Sequence, residues 1–239
     1  MKVRGVLFDI DDTLVNSRPA MEDALKENAR ALSVFASSHG LNHDPARIHS
    51  KLVEIDERMH ATYTYNRDEW WRAAVMELWP GTELKPEEAG ALTKRYWEIV
   101  KERSAQYPDS APVLAELKKR GYRLAAVTDT DGTRGVKTER LRRSGLMEFF
   151  DAVVIGGEDT KKVKPDPEPF LLAASKLGLR PGECVMVGDR PYTDIRGAKA
   201  AGMSAIWLKR RDWDAHEPCE AAVDSLLQLT EILKAPAGR

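Results

Sequence analysis

Two cysteines in 239 residues are too few for a disulfide framework. Cys184 lies in the apolar run Cys184-Val185-Met186-Val187, which reads as a buried strand, whereas Cys219 follows a polar segment; no bridge between them is expected, which suits a reducing compartment. Long apolar runs are missing too. None approaches the roughly 18 residues a membrane span needs, and Asp9 interrupts the stretch after Met1-Lys2-Val3-Arg4 before it reaches the length of a secretory h-region. Net charge is nearly nil, since 37 Lys and Arg stand against 38 Asp and Glu, giving -1. Without a basic run there is no field for nucleic acid. The sequence therefore predicts a cytoplasmic protein with neither a nucleic-acid nor a membrane partner. Internal repeats and low-complexity tracts are absent as well.

What is present is a series of short continuous apolar runs, at Val3 to Phe8, Leu124 to Val127, Ala152 to Ile155, Val185 to Val187 and Ala205 to Leu208. Runs without alternation suit parallel strands buried on both faces. Helix-like segments separate them. One is capped by Ser110 and ends at Lys118-Lys119-Arg120-Gly121, and another runs from about Pro167 to Gly178. The fold class is α/β, a parallel sheet covered by helices. More than 100 residues part the first strand from the second, too many for a crossover. Apolar stripes at Met21, Leu25, Leu32 and Phe35, then at Ile48, Leu52, Ile55 and Met59 behind Asp44-Pro45, make that interval helical. Two more follow, over Trp71 to Trp79 and Ala89 to Ile99. The boundaries are 1–15 and 109–239 for the core and 16–108 for an inserted helical domain. Trp70, Trp71, Trp79 and Trp97, at helical spacing, are assigned to its core.

The chemistry-bearing residues gather at strand ends. Phe8-Asp9-Ile10-Asp11-Asp12-Thr13-Leu14 follows the first strand, where ligands of open parallel sheets bind. Asp9 and Asp11 alone read equally as a turn-capping pair. Val187-Gly188-Asp189-Arg190-Pro191-Tyr192-Thr193-Asp194 follows another strand and brings Asp189 and Asp194 to one small volume, although Asp194 could merely serve a helix N-terminus. Thr128 with Asp129 closes a third strand. Lys164, before Pro165-Asp166-Pro167, supplies a cation, with Lys161 and Lys162 as its competitors.

In order and placement these residues resemble the four motifs of the haloacid dehalogenase superfamily, phosphatase branch, with a helical cap inserted after the first motif, as in subfamily I. Asp9 and Asp11 match the first motif, Thr128 the second, Lys164 the third, and Asp189 with Asp194 the fourth. One departure is Thr130, where many relatives carry glycine. The resemblance implies a Rossmann-like sheet of strand order 5-4-1-2-3. It also implies a phosphatase of a small phosphorylated metabolite, in which Asp9 attacks phosphorus to form an aspartyl phosphate and Asp11 moves the protons. Thr128, Asp129 and Lys164 would hold phosphate. Carboxylates converging on one phosphate need a cation among them, and hard oxygen ligands favour magnesium (Mg2+). By the resemblance the metal meets the carboxylates of Asp9 and Asp189 and the backbone carbonyl of Asp11, with Asp194 nearby.

A haloacid dehalogenase would have no alkoxide to protonate, so Asp11 argues against it. A phosphomutase uses the same two acids and stays open as the alternative. A phospho-acceptor signalling domain would lack Asp11 and leave the cap unexplained, and a non-catalytic binding protein would not fill every motif position. The phosphate-binding residues recognise only the phosphoryl group, so discrimination between esters is assigned to the cap, with Arg18, His60, Tyr63, Tyr65, Asn66 and Arg67 as candidates.

Overall fold

The computed structural model describes residues 3–213 and 217–234; His216, whose spacing from Cys219 lacks the second pair of a metal site and reads as solvent-exposed, lies outside the described residues. In chain order the elements are β1 (Gly5–Phe8), β2 (Val15–Asn16), α1 (Arg18–Ser38), α2 (Pro45–Ala61), α3 (Arg67–Leu78), α4 (Pro86–Arg103) and β3 (Ala105–Gln106). Then come α5 (Ser110–Lys119), β4 (Arg123–Asp129), α6 (Val136–Arg143), β5 (Ala152–Gly156), α7 (Glu168–Lys176) and β6 (Cys184–Gly188). The last are α8 (Arg196–Ala200), β7 (Ser204–Leu208), β8 (Ala221–Val223) and α9 (Leu229–Ile232). No described helix is long and apolar enough to cross a membrane.

The chain forms two compact units. One comprises 1–16, 105–130 and 137–239, and the other 17–104 and 131–136. In the first, a six-stranded sheet runs β5-β4-β1-β6-β7-β8 with every pairing parallel. The five expected strands keep the order 5-4-1-2-3, and β8 extends the edge beyond β7. That sixth strand is too short, at three residues, to stand out in a hydropathy pattern.

Side chains alternate across a strand, so a sheet covered on both sides must be apolar at consecutive positions. Val6, Phe8, Leu124, Ala126, Val185 and Val187 belong to one buried cluster, and Leu7, Ala125, Val127, Cys184 and Met186 to the other. This alternation explains the continuous runs.

The helix expected to be capped by Ser110 differs in detail. Its N-cap is Asp109, and Ser110 instead donates from its hydroxyl to the Leu14 carbonyl at 2.8 Å. The Asp109 carboxylate is held away from the helix end by Arg210, the Ser225 hydroxyl and the Leu226 amide.

In the second unit α1 to α4 pack around Trp70, Trp71, Tyr96 and Trp97, all nearly or fully buried. The side chains of Asp44 and Asn66 cap α2 and α3, accepting from the amides of Ala46 (3.0 Å) and Asp68 (3.2 Å). Arg67 is buried there, its guanidinium 3.9 Å from the ring centres of both Trp70 and Tyr96 and 3.2 Å from Asp56.

Candidate active site

The β1 ladder persists one residue past the strand, where the Asp9 amide donates to the Val187 carbonyl at 3.0 Å. The chain then turns sharply. The amides of Thr13, Leu14 and Val15 all reach the Ile10 carbonyl, and Asp12 takes φ 58°, a left-handed conformation that aspartate tolerates better than most residues. This turn returns the Thr13 hydroxyl to 3.4 Å from Asp9 Oδ2 and 3.3 Å from Asp189 Oδ1, while it accepts the Asp189 amide at 3.1 Å. One hydroxyl thereby ties the ends of β1 and β6 together.

Lys164 is the cation at the centre. Its ammonium lies 2.5 Å from Asp9 Oδ1 and 2.7 Å from Asp194 Oδ1, and its amide donates to Asp129 Oδ1 at 3.0 Å. Burial would depress the Lys164 pKa, but Asp194, Asp9 and Asp129 together outweigh it and hold the group well above its ordinary value. Burial raises the Asp9 carboxyl despite the attraction of Lys164, and does the same to Asp129. Asp189 is raised well above the usual carboxylate range by burial, with Arg190 opposing and Asp194 and Asp9 adding to it. Arg190 is itself held above its ordinary value because Asp189 and its neighbours outweigh the burial that would lower it.

Two glycines make room for these acids. A Cβ at Gly188, the last residue of β6, would sit 2.3 Å from Asp194 Oδ2, and one at Gly156, the last of β5, would sit 2.5 Å from Asp129 Oδ1. Asp194 lies in a single π-helical turn, Pro191–Ile195, before α8, and its Oδ2 accepts the Arg190 amide at 3.0 Å. The carboxylate therefore serves both the turn and Lys164.

Oxygen atoms of Asp9, Asp189 and Asp194 lie within 4.8 Å of one another, and all three residues are buried. Asp189 Oδ2 is buried without a hydrogen-bond partner, and the nearest ion-pairing atom, Arg211 Nε, is 3.8 Å away. A buried carboxylate oxygen left unsatisfied is costly, and an all-oxygen donor set fits a hard divalent cation. Thr128 is buried near the end of β4, paired in register with Ile155. Asp11 leaves this group: its carboxylate is bound by Lys137 and Arg140 of α6, with Arg140 Nη1 3.3 Å from Oδ2.

Residues 3–202 match the family model described as haloacid dehalogenase-like hydrolase. The chain belongs to this family. Among its haloacid dehalogenase-like relatives, the glyceraldehyde 3-phosphate phosphatase of Methanopyrus kandleri is 32% identical over 216 residues, 90% of this chain and 88% of that one. The phosphoserine phosphatase of Thermus thermophilus is 32% identical over 225 residues, 86% of this chain and 88% of that one. A crystal structure of a haloacid dehalogenase phosphatase from Thermococcus onnurineus superposes with a TM-score of 0.75 at 31% identity, covering 99% of this chain and all of that one. The chain is accordingly a phosphoric monoester hydrolase.

Of the remaining sequence candidates, Arg18 is exposed and lies 3.5 Å from Glu22. His60 is half-buried against Trp70 and Asp56, Tyr63 is 46% exposed, Tyr65 is half-buried, Asn66 caps α3, and Arg67 is enclosed within its own unit. Sequence reasoning assigned no role to Thr13, Arg190, Lys137 or Arg140. Thr13 lies within the first motif, and its four-residue spacing from Asp9 across a turn was the available signal. For Lys137 and Arg140 the signal was their i, i+3 placement beside Leu141, on what becomes the buried side of α6.

Proposed function

We propose that this phosphoric monoester hydrolase cleaves a small phosphorylated metabolite through an aspartyl phosphate on Asp9, with Asp11 as the proton-transfer group and magnesium among the acids. The observation that carries the reading is Asp9 itself, a buried carboxylate 2.5 Å from the Lys164 ammonium and within 4.8 Å of Asp189 and Asp194 oxygens. Asp9 Oδ2, the oxygen turned away from Lys164, attacks phosphorus in line with the leaving oxygen. As the ester bond breaks, the departing oxygen takes a proton from Asp11, which carries it in place of one of its contacts to Lys137 and Arg140 while the ester is bound. Water then attacks the acyl phosphate, Asp11 takes the proton back, and phosphate leaves Asp9 free. Lys164 and the Thr128 hydroxyl hold phosphoryl oxygens at fixed positions, so charge developing there meets donors that need no reorganisation. Asp129 holds Lys164 through its amide. Asp9 and Asp189 carboxylates, the Asp11 carbonyl and nearby Asp194 would hold magnesium, which when bound neutralises charge on the phosphoryl group.

The phosphoryl-binding residues cannot tell one ester from another, so we assign that choice to the helical stretch 16–108, acting as a cap. Arg18, His60, Tyr63, Tyr65, Asn66 and Arg67 are its candidates. Relatives named for glyceraldehyde 3-phosphate and phosphoserine support a small, polar phosphate monoester. A panel of such esters assayed with magnesium, with chelator, and with magnesium restored tests the reading. Turnover of at least one ester should vanish with chelator and return with the metal. Equal turnover in metal-free buffer would overturn the metal assignment.

A further inference from the structure

α6 turns an unusual face inward. Its buried positions are Lys137, Arg140 and Leu141, and the two cations are only 4% and 7% exposed. Residues three apart on a helix share a side, so both charges point the same way. Removing a charge from water is unfavourable unless a partner of opposite sign is held in good geometry. A helix that served packing alone would place apolar side chains at these positions.

The partner is Asp11. Lys137 Nζ donates to Asp11 Oδ2, while Arg140 donates from Nη2 to Oδ1 and from Nη1 to Oδ2 at 3.3 Å. A guanidinium fork on both oxygens fixes the plane of a carboxylate as well as its position. The Asp11 backbone is also held, by a bridge to Val15. Asp9, two residues earlier, is instead committed to Lys164 and Thr13. Asp9 and Asp11, two residues apart, are thus held by Lys164 and Thr13 in the one case and by Lys137 and Arg140 in the other.

We infer that Lys137 and Arg140 are positioning residues for Asp11, setting where its carboxylate stands relative to the ester and so controlling the two proton-transfer steps but not the attack by Asp9. The inference rests on the proposed roles of Asp9 and Asp11. Misplacing a reacting group by about 1 Å costs on the order of 10²-fold in rate, so losing either cation should slow the steps that use Asp11 by about tenfold to a hundredfold.

Leaving-group chemistry separates this from a general structural role. p-Nitrophenolate departs without a proton, whereas the alkoxide of glycerol phosphate needs one. Single turnovers with enzyme in excess and magnesium present are followed for the wild type, Lys137→Met, Arg140→Met, Arg140→Lys and Asp11→Asn. Asp11→Asn decides the underlying reading: it should release p-nitrophenolate while phosphate stays on the enzyme, and simultaneous release of both products would contradict that reading. With it upheld, Lys137→Met and Arg140→Met should release p-nitrophenolate at the wild-type rate, release phosphate about tenfold or more slowly, and cleave glycerol phosphate slowly in the first step. Arg140→Lys, which keeps the charge and guards against a failure of Arg140→Met to fold, should recover part of the glycerol phosphate rate. A first step slowed equally for both esters, or unchanged phosphate release, would overturn the inference.

Discussion

At the scale of single residues the site depends on how four carboxylates are kept apart in function. Asp9, Asp189 and Asp194 share one buried volume, and Asp11 is drawn out of it by α6. The acids and Lys164 were legible in the sequence because each follows a continuous apolar run or precedes a helix. Lys137 and Arg140 were not, since their i, i+3 spacing is diluted by the other charges of Val136-Lys137-Thr138-Glu139-Arg140-Leu141-Arg142-Arg143. Only the fold turns two of those charges inward. The two acids of the first motif should fail differently when neutralised. Asp9→Asn, nearly isosteric but a poor nucleophile, should lose turnover while keeping a cooperatively unfolding native fold. Asp11→Asn should lose about 10² to 10⁴ in steady-state rate while still accepting a phosphoryl group from p-nitrophenyl phosphate. Steady-state assays beside thermal unfolding check this, and an active, folded Asp9→Asn protein would contradict it.

At the scale of elements, the core strands were legible because two-sided burial leaves a hydropathy signature. β8 was not, because three residues carry too little pattern. Asp109 and Ser110 exchange roles because tertiary partners, the Leu14 carbonyl and the Arg210 guanidinium, compete with the helix end for both side chains. In the helical unit α2 is tied to α3 by the Asp56–Arg67 ion pair and by His60 packed edge-on against Trp70, while His60 also contacts Asp56 within α2. Burial would raise the Asp56 carboxyl, but the hydrogen bond from His60 and the charge of Arg67 outweigh it and hold it below its ordinary value. A carboxylate whose folded pKa is depressed contributes stability above its unfolded pKa, about 4, and loses it as pH falls towards the folded value. The gap in Tm between wild type and Asp56→Asn should therefore be full near neutral pH and narrow below about pH 4. A gap independent of pH would show that the charge on Asp56 contributes nothing.

At the scale of the whole molecule, the inserted helical stretch was legible from the interval between the first two strands. The membership of 131–136 in the helical unit was not, because that segment joins β4 directly to α6 and nothing in its sequence assigns it to helices that precede it by many residues. The proposed function rests on one chemical claim, that Asp9 is phosphorylated during each turnover. The direct measurement is acid quenching of the enzyme during turnover of a phosphorus-labelled ester, followed by borohydride reduction, which converts an aspartyl phosphate to homoserine, and peptide mapping. Label and homoserine at position 9, absent from Asp9→Asn and accumulating in Asp11→Asn, is the predicted result. Turnover without any labelled protein, or label at another residue, would contradict the mechanism.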